Sequence, residues 1–188
     1  MALMNVSFDE VRRVAFRALD GGGAAPGIDD DCGWGCAWLE ACGYPGLRML
    51  VEALEETPRE ARRPSLEEDA MGLDLKNVSA VFSAPNVVDV AVAKGRLFVR
   101  NVRHGLYFLP FTVRANVGIG CPVDPAFAIG GERTKNPYAE KLAAAYAHGL
   151  SVDDAIWAKA YALSRAILVP ESEASRLKGA GAGLTDND

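Results

Sequence analysis

Val78-Ser-Ala-Val-Phe-Ser83, Val87-Val-Asp-Val-Ala-Val92, Arg96-Leu-Phe-Val-Arg100 and Leu106-Tyr-Phe-Leu109 are short runs rich in β-branched and aromatic residues. Such residues favour the pleated backbone, and runs of this length read as strands. Lys94-Gly95, between the second and third runs, reads as a hairpin turn. No helical segment separates these runs, so they predict antiparallel pairing rather than crossover units. Thr112 to Ile119 is read as one more strand. Gly118, Gly120, Pro122, Pro125, Gly130 and Gly131 then punctuate a loop region.

Helices are expected on both sides of this sheet. Residues 7–20 carry an S-x-x-E capping box at Ser7 and Glu10, and Phe8, Val11, Ala15, Ala18 and Leu19 recur at helical spacing. Gly21 to Gly23 ends the run. Gly27-Ile-Asp-Asp-Asp31 approaches a second helix that runs to about Ala41. Leu47, Leu50, Val51 and Leu54 mark a third. Residues 56–76 are charged and carry Pro58 and Pro64, and are read as an exposed connection to the sheet. A helix over Tyr138 to His148 is expected to stop at Gly149. Ser151 and Asp154 cap another, with its apolar stripe running to Ile167. The fold class is α+β: an antiparallel mid-chain sheet packed against N- and C-terminal helices.

The chain has 188 residues, 49% of them hydrophobic and 24% charged, with a net charge of −5. These values describe a globular chain and fit one domain over residues 1–188. The acidic balance argues against a partner bound through nucleic-acid phosphates. No basic and apolar leader precedes Asp9-Glu10, and the longest apolar candidate, Gly105 to Phe111, is too short for a bilayer. Neither nucleic acid nor membrane is therefore expected as a partner, and the expected compartment is the cytoplasm.

Four cysteines are present. Cys32 and Cys36 stand at i, i+4 on one helix, able to face a metal or a core; burial is the commoner fate of a free cysteine. Their spacing fits no paired zinc motif, and neither a metal site nor a cofactor is assigned. His104, in a turn between two strands, is the candidate general base. Cys121 and Asp124, in the Gly-rich loop Gly118-Ile-Gly-Cys-Pro-Val-Asp124, complete the candidate catalytic set. Asp29, Asp30 and Asp31, together with Arg133 or Arg176, are candidates for a polar ligand site between the helical and sheet layers. His148 sits where a cation suits a helix C-terminus.

The chain ends Glu171-Ser-Glu-Ala-Ser-Arg-Leu-Lys-Gly-Ala-Gly-Ala-Gly-Leu-Thr-Asp-Asn-Asp188. A stretch of that composition is either a frayed end or a docked one. Docked, the N–H groups of Gly179, Gly181 and Gly183 can form an anion nest. Ser175 and Arg176 then add polar and bidentate contacts, and Asp186 a carboxylate. Together with Val6-Ser-Phe-Asp-Glu-Val11, Ala37-Trp-Leu-Glu-Ala-Cys-Gly-Tyr-Pro-Gly46, Leu109-Pro-Phe111 and Val169-Pro-Glu-Ser-Glu-Ala-Ser-Arg176, this ending resembles a bacterial family classed as a domain of unknown function. The resemblance implies no reaction and transfers no catalytic residue. Pro26-Gly-Ile-Asp-Asp-Asp31 stands where that family has a Trp-Gly-Leu-Ala-Glu-Glu-like segment; the acid pair is kept as aspartates and the tryptophan is lost.

Two functions follow as expectations. One is a small enzyme or accessory subunit acting on a small polar or acidic metabolite. The other is a non-catalytic homo-oligomer or partner subunit, anchored by Trp34, Trp38 and Trp157 with the terminal segment as a clamp.

Overall fold

Helix α1 (Phe8–Gly22) begins at Ser7, whose hydroxyl accepts the Glu10 N–H at 3.1 Å while the Glu10 carboxylate accepts the Ser7 N–H at 2.8 Å. The computed structural model describes residues 2–123, 126–133 and 136–167. The buried stripe of α1 is Phe8, Val11, Val14, Ala15, Ala18 and Leu19. It packs against helix α2 (Ile28–Ala41), which buries Cys32, Cys36, Trp38 and Leu39. Helix α3 (Gly46–Glu56) packs on α2 in turn. Cys32 and Cys36 are both fully buried, so each faces the core.

The architecture is α+β, with a sheet that is mixed rather than wholly antiparallel. Strands β2 (Glu68–Asp69), β3 (Gly72–Asp74), β4 (Arg96–Arg100), β5 (Val117–Val123) and β6 (Ala126–Glu132) stand in the order β2-β3-β4-β6-β5. Every pair is antiparallel except β3 with β4, where Leu73 lies beside Val99. Leu73, Leu97, Val99 and Ile129 give the sheet its buried face. The charged stretch before β3 thus ends inside the core, at Leu73 and Leu75.

Several expected strands are helical. Ala84–Lys94 is helix α4: Ala84, Val87, Val88 and Ala91 are buried at i, i+3, i+4 and i+7, a helical period. β-branched content masked that period. Pro85 sits in the first turn, and Gly95 ends the helix at φ 78° with its N–H on the Val92 carbonyl, so Lys94-Gly95 is a helix stop and not a hairpin. Ala80–Phe82 and Gly105–Phe108 are 3-10 turns, the second leading into helix α5 (Leu109–Arg114). That run is apolar on every side because the core surrounds it, and a run without periodicity does not distinguish strand from buried helix. Conversely, the Gly-rich stretch read as loop contains β5 and β6, whose register shifts twice, between Val117 and Ile119 and between Gly120 and Val123.

Helix α6 (Ala139–His148) matches its expected span. Helix α7 (Asp154–Ser164) is capped by Asp153, whose carboxylate accepts the Ile156 N–H at 2.9 Å, and not by Ser151. Ser151 belongs to strand β7 (Leu150–Asp153), which pairs antiparallel with strand β1 (Leu3–Val6) in a separate two-stranded ribbon. Trp38 is 1% exposed and packs edge-on against Tyr138 at 4.8 Å, so it anchors this chain's own core and not an interface.

Candidate functional site

Between Asp31 and Arg48 the sequence carries one charged residue, Glu40, in the otherwise apolar second half of α2. The backbone decides where its carboxyl goes. Gly46 opens α3 so close to α2 that a Cβ there would lie 3.0 Å from the Leu39 Cβ. This approach places the first turn of α3 over Glu40, whose Oε1 accepts the Leu47 N–H at 2.8 Å. Pro45 supplies no capping side chain, so Glu40 caps α3 from a neighbouring helix. Burial disfavours its anion more than the Leu47 N–H and the Arg48 charge restore it, and the carboxyl is raised to about 7.

Glu40 borders two clefts. The larger, about 460 Å³, lies between the end of α2, one face of α6 and the start of β7. Lys141, Ala144, Ala145 and His148 follow one another at helical spacing along that face, and Gly149 to Ser151 complete the wall. Lys141 Nζ donates to the Cys42 carbonyl at 3.0 Å, which holds the ammonium at the rim. Cys42 itself is pushed up to about 11 by burial, so its thiol is protonated and a poor nucleophile at neutral pH. The smaller cleft, about 120 Å³, adds Pro45, Leu47, Arg48, Asp153 and Ile156. A carboxyl that titrates near neutrality, an ammonium and an imidazole therefore share one depression. That set can hold an anionic group and move a proton.

The residues singled out from sequence are distributed elsewhere. His104, at φ 53°, has its Nδ1 2.9 Å from the Ser79 hydroxyl and its Nε2 3.3 Å from the Glu52 carboxylate. Ala80 N–H donates to the Arg103 carbonyl at 2.9 Å and Arg103 N–H to the Val78 carbonyl at 3.2 Å, which fixes the two segments against each other. Arg103 also pairs with Glu56. Burial first, and the Arg103 charge second, lower the His104 pKa. The orienting carboxylate that no neighbour in sequence supplies thus comes from α3. Ser79, however, is 1% exposed and its hydroxyl also accepts the Val81 N–H, so its oxygen is enclosed.

Cys121 is exposed on β5, and no described contact joins it to His104. Asp30 pairs with Arg12 at 2.9 Å and Asp31 with Arg114 at 2.9 Å. The Arg114 guanidinium in turn stacks 5.0 Å from the Trp34 ring and 5.2 Å from Phe111. Arg133 meets neither aspartate; it donates to the Val117 carbonyl and the Thr112 hydroxyl. Asp30 borders a shallow depression of about 520 Å³ with Asp9, Arg12, Arg13 and Phe16. Asp124, Ser175, Arg176, Gly179, Gly181, Gly183 and Asp186 lie outside the described residues. Among the described residues, no group of three or more His, Cys, Asp or Glu side chains converges as a metal set would, and no helix is long and apolar enough to cross a membrane.

Sequence reasoning passed over Glu40. The available signal was its isolation, since a single acid within an apolar helical run must be covered or paired.

An α+β fold with a largely buried carboxyl, raised to about 7 by burial, at the edge of a cleft is the class these observations define. Residues 6–86, which include Glu40, match a family described as "Protein of unknown function (DUF3726)". The match supports a domain-of-unknown-function family and carries no reaction with it. No curated protein and no solved structure matches the chain.

Proposed function

We propose that the chain acts on a small polar, acidic metabolite held in the cleft between α2 and α6, with Glu40 as proton donor and acceptor. The observation that carries this reading is the buried Glu40 carboxyl, raised to about 7 by burial, on a cleft that Lys141 also lines. A group with that pKa is half protonated at neutral pH and can both take and return a proton in one turnover. Lys141 spends one N–H on the Cys42 carbonyl and keeps further donors for a carboxylate on the ligand. Glu40 accepts the Leu47 N–H through Oε1, which fixes the orientation of the carboxyl that carries the moving proton. The reaction class is proton transfer next to the ligand's anionic group.

His104 fits this role less well because the atom it would activate, the Ser79 oxygen, is enclosed. The test is a thermal-shift panel of small mono- and dicarboxylic acids on the wild-type chain, Lys141→Gln and Glu40→Gln, because a ligand that prefers the native state raises the midpoint. We expect one or more acids to raise the wild-type midpoint and Lys141→Gln to abolish the rise. Glu40→Gln should keep binding but lose exchange of ligand protons for deuterium. An equal response from Lys141→Gln would overturn the reading.

A further inference from the structure

The last turn of α1 ends in glycine and leaves its carbonyls uncovered by its own helix. Three guanidinium groups from one short segment gather there. Arg62 donates to the Gly22 carbonyl at 2.6 Å, the Leu54 carbonyl at 2.5 Å and the Thr57 carbonyl at 2.9 Å, with Phe82 5.8 Å beneath it. It is half-buried and closes the ends of both α1 and α3. Arg62 thus covers one carbonyl at the end of α1 and two at the end of α3.

Arg59 and Arg63 reach the neighbouring carbonyls of this corner and keep donors to spare. Both are exposed. Arg59 gives one N–H to the Gly21 carbonyl at 3.0 Å, and Arg63 reaches the Gly23 and Ala24 carbonyls only at 3.4 and 3.5 Å. A guanidinium carries five N–H donors, so most of theirs are unspent among the described residues. No carboxylate of a described residue lies within 4.0 Å of any of the three. The Arg59 charge also presses on Arg62, adding to burial in lowering the Arg62 pKa. In a chain of net charge −5, this is a local surplus of positive charge held at a cost.

The surplus faces a depression of about 420 Å³ lined by Gly23, Arg59, Glu60 and Arg63. Gly23 stands at φ 83°, and a Cβ there would sit 2.8 Å from Arg59 Nε. Glycine thus lets the Arg59 fork lie flat against the backbone. Glu60, the acid on the rim, offsets part of the positive charge.

We propose that Arg59 and Arg63, braced by Arg62, form a binding site for a phosphate group, carried either by a phosphorylated small molecule or by free phosphate. Planar forks suit the oxygens of a tetrahedral dianion, and charge-assisted bonds of this kind are short and strong. None of these residues belongs to the Glu40 cleft, so this site stands or falls separately from it.

The test is calorimetric titration of inorganic phosphate and of glycerol 3-phosphate into the full chain at fixed ionic strength. We expect saturable binding to the wild type, weakened about tenfold or more by Arg59→Gln with Arg63→Gln, the loss that follows from removing one or two charge-assisted bonds. Arg59→Lys with Arg63→Lys keeps the charge and loses the fork, and should fall between the two. Glu60→Gln should tighten binding several-fold by removing the rim carboxylate. Tighter binding of the ester supports a phosphorylated metabolite as the occupant, and equal binding supports free phosphate. Absence of saturable binding to the wild type, or equal binding by the glutamine pair, would overturn the proposal.

Discussion

At Glu40 the structure couples a capping bond to a displaced titration, and the coupling has a sign. A carboxyl of this type titrates at 4.5 when unperturbed, whereas Glu40 is raised to about 7. The folded chain therefore holds this proton more tightly than the unfolded chain. Its contribution to stability is complete below pH 4.5, declines as pH rises from there to about 7, and stays lost above. The span is worth at most on the order of 3 kcal/mol. Glutamine keeps an oxygen for the Leu47 N–H and has nothing to titrate. We expect urea unfolding of the wild type to lose stability between pH 4.5 and about 7 relative to Glu40→Gln. Parallel curves for the two proteins would show that Glu40 titrates normally. His104 has the opposite sign. Its pKa is lowered from 6.5, so its contribution is present above pH 6.5 and is lost as pH falls from there through the folded value. Ser79 donating to Nδ1 and Nε2–H donating to Glu52 gives both ring nitrogens a partner with His104 neutral. Nitrogen-15 NMR of the ring should show the Nε2–H tautomer and a midpoint below 6.5. The Nδ1–H tautomer would mean that the hydrogen bonds run the other way.

At the scale of elements, helix ends decided what was legible in the sequence. The capping box at Ser7 placed α1, and glycine stops placed the ends of α1 and α6, because these signals are local and chemical. The stretch Ala84–Lys94 was illegible for the reason that makes it stable. Its valines are β-branched, yet Val87 and Val88 are both buried on the helical face that meets the sheet, and packing outweighs their strand preference. Cross-chain positioning was hidden altogether: nothing near His104 in sequence announces Glu52, and nothing near Glu40 announces Lys141. Arg62 was hidden in the same way, within a segment read as exposed. It joins the ends of α1 and α3 through carbonyls of Gly22, Leu54 and Thr57. Arg62→Ala leaves those carbonyls without their donor in a half-buried corner, and we expect a loss of about 2–4 kcal/mol in chemical unfolding. A loss below about 0.5 kcal/mol, typical of a solvated surface position, would show that water replaces the guanidinium without penalty.

Over the whole molecule, the ribbon of β1 and β7 binds the N-terminal segment to the stretch between α6 and α7, and so closes the wall of the Glu40 cleft. Val6 pairs with Leu150 and Leu3 with Asp153. Asn5 Nδ2 donates to the His148 carbonyl at 3.2 Å, and Phe8 lies 4.5 Å from Tyr146. The hinge of this arrangement is Gly149. It stands at φ 82°, ends α6 through its N–H on the Ala145 carbonyl, and passes so near β1 that a Cβ would lie 2.8 Å from both the Asn5 Oδ1 and the Val6 carbonyl. Gly149→Ala meets a disfavoured backbone region and a backbone oxygen at once, so the strain cannot be relieved by turning a side chain. We expect a loss of roughly 1–3 kcal/mol. Hydrogen exchange at residues 3–6 and 150–153 should accelerate together, since among the described residues each of these strands pairs with the other alone. Because Gly149, Leu150 and Ser151 line the cleft, loosening the ribbon widens the site as well. The same variant should therefore weaken any carboxylate response that depends on Lys141, while leaving phosphate binding at Arg59 and Arg63 intact. Unchanged exchange in β1 with accelerated exchange in β7 would show that the ribbon is not one cooperative unit, and the cleft wall would then be the work of α6 alone.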